Sequence, residues 1–210
     1  METKLILTDI DECVVRYHES FEIWVRNNPV LLRRLGVWMP PENSHLHLKQ
    51  DMEEWLEVDN SKVSILIDLF ARSESFRNIP PGWESDIYIP LLSERGFKFV
   101  AITSAGSSSI IKESRIQNLE TYFPDMFTAV HCIDWEDSKE NYLKLYQPTW
   151  WIEDRIPNAE MGLKYCHKPF IIDNTHNHGK LPEGMKRVTS WKGIYECITN
   201  DDCNLMGWMC

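Results

Sequence analysis

The chain has 210 residues, 43% of them hydrophobic and 26% charged, the balance of a soluble globular protein long enough to bury one core. Its formal net charge of −10 argues against non-specific grip on a polynucleotide backbone, which requires a basic face, so no stable nucleic-acid partner is expected. No basic-then-apolar leader opens the chain and no run nears about 18 apolar residues, which predicts neither an export signal nor a membrane span and places the protein in the cytoplasm.

The first element is a strand over residues 4–8, an apolar run that enters Asp9, Asp11 and Glu12. From 16 to 80 the spacing turns helical: Phe21, Trp24 and Val25, then Leu31, Leu32 and Leu35, then Met52, Trp55 and Leu56, and last Val63, Leu66, Ile67 and Phe70 behind the capping run Asp59-Asn60-Ser61. "NIPPGW" (78–83) is a turn, and a helix carrying Ile87, Leu91 and Leu92 stops at Gly96. "FKFVAITSAG" (97–106) is a strand whose apolar part ends in Thr103-Ser104 and a small-residue loop. Helix over 110–123, strand over 127–133 and helix over 138–146 follow. "TWWIED" (149–154) is a strand ending in acids, with one ring of Trp150-Trp151 predicted on each face. A helix, a strand over 169–174, a polar loop containing "THNHG" and a last helix over 191–198 complete the chain. The six cysteines lack CxxC spacing and read as reduced thiols.

This alternation implies an α/β fold: a Rossmann-like parallel sheet flanked by helices over 1–15 and 81–210, with a helical unit inserted over 16–80. In such sheets the ligand crevice lies beyond the carboxyl ends of the strands. Asp9 and Asp11, Thr103-Ser104, and Glu153-Asp154 all fall there. Mg²⁺ takes hard oxygen ligands, which Asp9, a nearby carbonyl and Glu153 or Asp154 would provide. A carboxylate can also be the nucleophile in phosphoryl transfer while a second serves as acid and base. The Thr103 hydroxyl and the N–H groups of the Ser104, Ala105 and Gly106 loop would hold the phosphate.

"DIDECV", "VAITS", a downstream lysine and "WWIEDR" stand in the order of the four motifs of the haloacid dehalogenase superfamily, which the chain resembles over residues 4 to 198. That resemblance implies Asp9 as nucleophile, Asp11 as acid/base, Thr103 as phosphate contact, a lysine as charge neutraliser, and a Mg²⁺ site of Asp9, Asp11, Asp154 and Glu153. It also implies that the insertion over 16–80 is a helical cap. Lys139 and Lys144 both suit the third motif; Lys139, at the start of a helix just upstream of the acid-bearing strand, suits it better. "WIEDR", the "THN" loop and "RVTSW" (187–191) are similar to the 5'(3')-deoxyribonucleotidases and their bacterial and phage relatives. This implies a nucleoside monophosphate as the small phosphorylated substrate, with Tyr17 stacking on the base and Phe21 and Trp24 as further lining. It leaves a homodimer open. A sugar phosphate or a nucleic-acid 3'-phosphate is the alternative substrate. Cys13 departs from the motif, and "THNHG" reads as a polar surface loop instead of a zinc or nuclease site.

Overall fold

The computed structural model describes residues 4–49 and 51–200. Strands β1 (Lys4–Thr8), β2 (Phe97–Thr103), β3 (Phe127–Cys132), β4 (Trp150–Glu153), β5 (Lys168–Ile172) and β6 (Lys186–Val188) form one sheet in the order β3-β2-β1-β4-β5-β6. Every neighbouring pair is parallel. Parallel strands are covered on both faces and so read as near-continuous apolar runs, which is why the central β1 and β2 were legible: Ile6, Leu7 and Phe99 through Ile102 are all buried. The edge strand β6 was not expected. Its three residues, two of them cationic, are too short and too charged to announce a strand.

Between β1 and the rest of the sheet run α1 (Tyr17–Arg26), α2 (Pro29–Arg34), α3 (Met52–Leu56), α4 (Asn60–Ala71) and α5 (Glu74–Arg77). Asp59 caps α4, its carboxylate accepting from the Lys62 N–H at 3.2 Å. The two chain segments that leave and rejoin the sheet pair with each other: the Arg16 N–H donates to the Pro80 carbonyl at 3.0 Å and the Gly82 N–H to Val14 at 2.9 Å. Inside the insertion Phe70 is the hub of an aromatic cluster, with ring centroids 5.4 Å from Tyr17 and Phe21, 5.5 Å from Trp24 and 5.7 Å from Phe76. This cluster is continuous with the apolar layer on one face of the sheet.

The remaining helices are α6 (Ser85–Glu94), α7 (Ser109–Tyr122), α8 (Glu140–Leu143), α9 (Ile156–Lys164) and α10 (Trp191–Thr199). The helix expected over 138–146 shrinks to the single turn of α8, because the Leu145 and Tyr146 N–H groups fold back three residues to Tyr142 and Leu143. Trp150 and Trp151 do split between the faces, Trp150 packing with the large cluster and Trp151 with Leu7, Val100, Ile102 and Leu143. Cys13, Cys132 and Cys197 are free and buried. Cys166, in the partly exposed turn after α9, is disulfide-bonded and departs from the reduced set expected. No helix among the described residues is long and apolar enough to cross a membrane. Strand order reverses at β1, which has β2 on one side and β4 on the other, so the crevice of this sheet lies past the ends of β1 and β4.

Candidate active site

Asp9 follows β1 directly and is locked to the neighbouring strand, its N–H donating to the Ile152 carbonyl at 2.8 Å. The chain then turns tightly: the Ile10 carbonyl accepts from Cys13, Val14 and Val15 N–H groups, and Glu12 sits at φ 58°. That turn sends Asp9 and Asp11 to different partners. Lys139 Nζ lies 3.1 Å from Asp9 Oδ1, and Arg115 Nη2 lies 2.5 Å from Asp11 Oδ1. Glu12 is buried in this turn, and its carboxylate caps α1 by accepting from the His18 N–H at 2.8 Å.

Lys139, not Lys144, is the lysine of the site. It is buried between Asp9 and Glu153, with Glu153 Oε1 at 2.6 Å, whereas Lys144 is half-exposed beside Glu140. Glu153 turns both carboxylate oxygens to protein donors. Its carboxylate accepts from Lys139, from Asn158 Nδ2 at 2.9 Å, and from the Asp154 and Arg155 N–H groups at 3.0 and 2.9 Å. Burial pushes Glu153 upward, but its lone pairs all face donors and leave no place for a proton. It is therefore a carboxylate. Burial works against the charge on Lys139, yet Asp9 and Glu153 outweigh it and hold the ammonium protonated.

Asp154 continues past β4 toward Asp9. Asp9, Cys13 and Asp154, all buried, bring ligand atoms within 4.8 Å of one another, and Cys13 Sγ is 4.0 Å from Asp154 Oδ1. The other oxygen of Asp154 lies 2.7 Å from His176 Nε2. Burial opposes ionisation of Asp154, but His176, Arg155 and Lys139 together hold its carboxyl below the ordinary range. Asp9 moves the other way, raised by burial and by Asp154 against the pull of Lys139. Asp11 is raised to about 6, burial outweighing Arg115. Buried carboxylates held this close to one another need a cation. The hard oxygens of Asp9 and Asp154 fit Mg²⁺, and Asp9 Oδ1 is buried without a well-directed hydrogen bond. The side chains of Asp11 and Glu153, both counted as ligands from sequence, do not join this cluster, because Arg115 and Lys139 hold them elsewhere.

Thr103 ends β2, and its hydroxyl is buried without a partner. Beyond it the Gly106 N–H is already taken by the Ile133 carbonyl at 2.9 Å. The Ser104 and Ala105 N–H groups carry no hydrogen bond among the described residues. Next to this loop is a cavity of about 980 Å³, walled on the sheet side by Ala105, Ser107, Trp135 and Arg155 and on the insertion side by residues such as Val63 and Ile67. Of the expected substrate contacts, Ala105 and Gly106 line it. Tyr17, Phe21 and Trp24 are buried in the aromatic cluster of the insertion. Helical spacing suits a core face and a lining face equally, which is why the sequence did not separate them. In the "THNHG" loop Thr175, His178 and Gly179 are exposed, in line with a polar surface loop, while His176 and the buried Asn177 turn inward: Asn177 Nδ2 donates to the Asp154 carbonyl at 2.7 Å and fixes the loop beside the site. Arg115, Arg155, Trp135 and His176 were all missed.

No family model matches the chain, and no curated protein does. Solved structures do. The Mg²⁺-bound putative hydrolase YfnB of the haloacid dehalogenase type from Bacillus subtilis superposes with a TM-score of 0.63 at 14% identity, covering 95% of this chain and 100% of that one. A predicted phosphatase from Clostridium acetobutylicum gives 0.63 at 17% identity, over 94% and 99%. CbbY from Rhodobacter sphaeroides, in complex with phosphate, gives 0.59 at 13%, over 90% and 95%. The fold of this chain is that of the haloacid dehalogenase-like hydrolases.

Proposed function

We propose that the protein is a Mg²⁺-dependent phosphomonoesterase working through an aspartyl-phosphate on Asp9. The observation that carries this reading is the buried Asp9 carboxylate, flanked by Lys139 at 3.1 Å and facing Asp154, at the switch point of the sheet. Asp9 and Asp154 would hold the metal, which supplies positive charge against the phosphoryl oxygens. The Asp9 oxygen attacks phosphorus while the bond to the ester oxygen breaks, and Asp11 delivers a proton to the departing alkoxide. Water then attacks the aspartyl-phosphate, Asp11 takes its proton, and the Asp9–phosphorus bond breaks to release phosphate. Thr103 and the Ser104 and Ala105 N–H groups hold the transferring group, and Lys139 neutralises its charge.

The substrate we infer is a nucleoside monophosphate, its base beside Trp135 and the apolar wall at Val63 and Ile67. A sugar phosphate is the second reading. Placement of Tyr17, Phe21 and Trp24 in the core favours it, and CbbY is known in complex with xylulose-(1,5)bisphosphate. Phosphate release is measured with Mg²⁺ on a panel of 5'- and 3'-nucleotides and sugar phosphates, beside Asp9→Asn. The wild type should turn over 5'-nucleotides fastest and the variant nothing. Faster turnover of sugar phosphates replaces the nucleotide reading, and no release from any ester ends the phosphatase reading.

A further inference from the structure

Arg115 is wholly buried in the middle of α7, and its environment is unusual for a cation. One guanidinium nitrogen reaches Asp11 Oδ1 at 2.5 Å, another reaches Asn118 Oδ1 at 3.3 Å, and Nε has no partner. The Phe76 ring covers the group at 4.2 Å from Cζ. A buried ion pair of this kind is a poor source of stability, because two desolvated charges rarely recover their hydration. With one donor left orphaned, stability does not explain it. The neighbours of Arg115 on α7 have a common direction. Ser114 Oγ accepts from Arg77 Nε at 3.3 Å, and Asn118 Nδ2 donates to the Arg77 and Ile79 carbonyls at 3.2 and 2.9 Å. Ser114 and Asn118 are buried as well. This polar face of α7 therefore grips residues 76–79, the connector through which the insertion rejoins the sheet, and at the same point holds one oxygen of Asp11. The side chain of Asp11 stays 20% exposed, and only its Oδ1 is held by Arg115.

We propose that Arg115 is the positioning residue of Asp11, fixing the carboxylate that exchanges protons with the leaving group and tying its placement to the connector of the insertion. The proposal rests on the phosphomonoesterase reading. A residue that only orients the acid matters where the leaving group needs a proton. An alkoxide does; p-nitrophenolate leaves without one. In Arg115→Lys and Arg115→Ala, kcat/KM for an alkyl phosphate monoester should fall about 100-fold, the scale of a lost general acid. For p-nitrophenyl phosphate it should fall less than about tenfold, because the nucleophile and phosphate contacts remain. Added guanidinium should restore part of the alkyl ester activity of Arg115→Ala. If the alanine variant does not fold by circular dichroism, Arg115→Lys in wild-type and Asp11→Asn backgrounds carries the test: the lysine change should cost nothing further once Asp11 is gone. Equal loss on both esters overturns the proposal and leaves the phosphatase reading standing. A gain on the alkyl ester overturns it too, since Arg115 would then be holding Asp11 out of place. A wild type that hydrolyses neither ester removes both readings together.

Discussion

Glu153 shows how far the role of a single side chain depends on partners that sequence cannot show. An acid next to Asp154 at a strand end reads as a metal ligand, but its oxygens are consumed by Lys139, Asn158 and two backbone N–H groups. Its function is to hold Lys139 charged and aimed at Asp9. Removing it leaves a buried ammonium with one carboxylate and strands the two N–H donors. Breaking a buried pair from one side costs about 3–5 kcal/mol, so Glu153→Ala should lower the melting temperature by roughly 10 °C at the scaling of a domain this size. Glu153→Gln should cost less, since its amide carbonyl still accepts from Lys139 or from the backbone, though not from both sides. Chemical denaturation of the two variants beside the wild type measures this, and an unchanged midpoint for Glu153→Ala would show that Lys139 is held by Asp9 alone.

At the scale of elements, the site depends on how closely α9 lies on β4. Gly162 is the contact: a Cβ there would stand 2.5 Å from Trp151 Cδ1. Trp151 is fully buried, donates from Nε1 to the Asn158 carbonyl at 3.1 Å, and has Lys139 Nζ 5.3 Å from its ring. A methyl group at 162 therefore presses on the strand carrying Glu153 and Asp154. Alanine gains up to about 1 kcal/mol in helix propensity over glycine, but overpacking a tight core contact costs about 1–3 kcal/mol. Gly162→Ala should thus lose stability on balance and lower kcat more than it raises KM; a stabilised, fully active variant would show that β4 has room to give. The strands that build the site were legible because the apolar runs stop abruptly at Asp9, Thr103 or Glu153, and these stops coincide at the carboxyl ends of the strands, where such a sheet places its ligand crevice. Arg115, Ser114 and Asn118 were not legible. They share the buried face of α7 with only Ile111 and Leu119 as apolar neighbours, too few to mark it as buried, and their partners lie about 40 residues away at the connector or about 100 away at Asp11.

For the whole molecule the governing quantity is negative charge. The chain carries −10, and the sheet gathers Asp9, Asp11, Glu12, Glu153 and Asp154 at the carboxyl ends of its strands. Lys139 and Arg115 each offset one of them, which leaves a local excess that burial makes more costly. A divalent cation seated between Asp9 and Asp154 should therefore stabilise the fold as well as serve the chemistry. A ligand that binds only the native state adds RT ln(1 + [L]/Kd), about 2.7 kcal/mol at a hundredfold excess over Kd. For a domain of this size that corresponds to a rise of roughly 5–10 °C in melting temperature. Asp154→Asn should abolish the rise, because the amide withdraws the charge without altering the shape of the crevice. Sodium chloride at matched ionic strength separates binding from screening. It weakens repulsion between exposed charges over a Debye length of about 8–10 Å, so it should give a smaller shift, the same in wild type and variant. Thermal unfolding in Mg²⁺, in matched sodium chloride and after chelation reads all three terms. A sodium chloride effect equal to that of Mg²⁺, or an Asp154→Asn protein that still responds to Mg²⁺, would place the cation somewhere other than between these two aspartates.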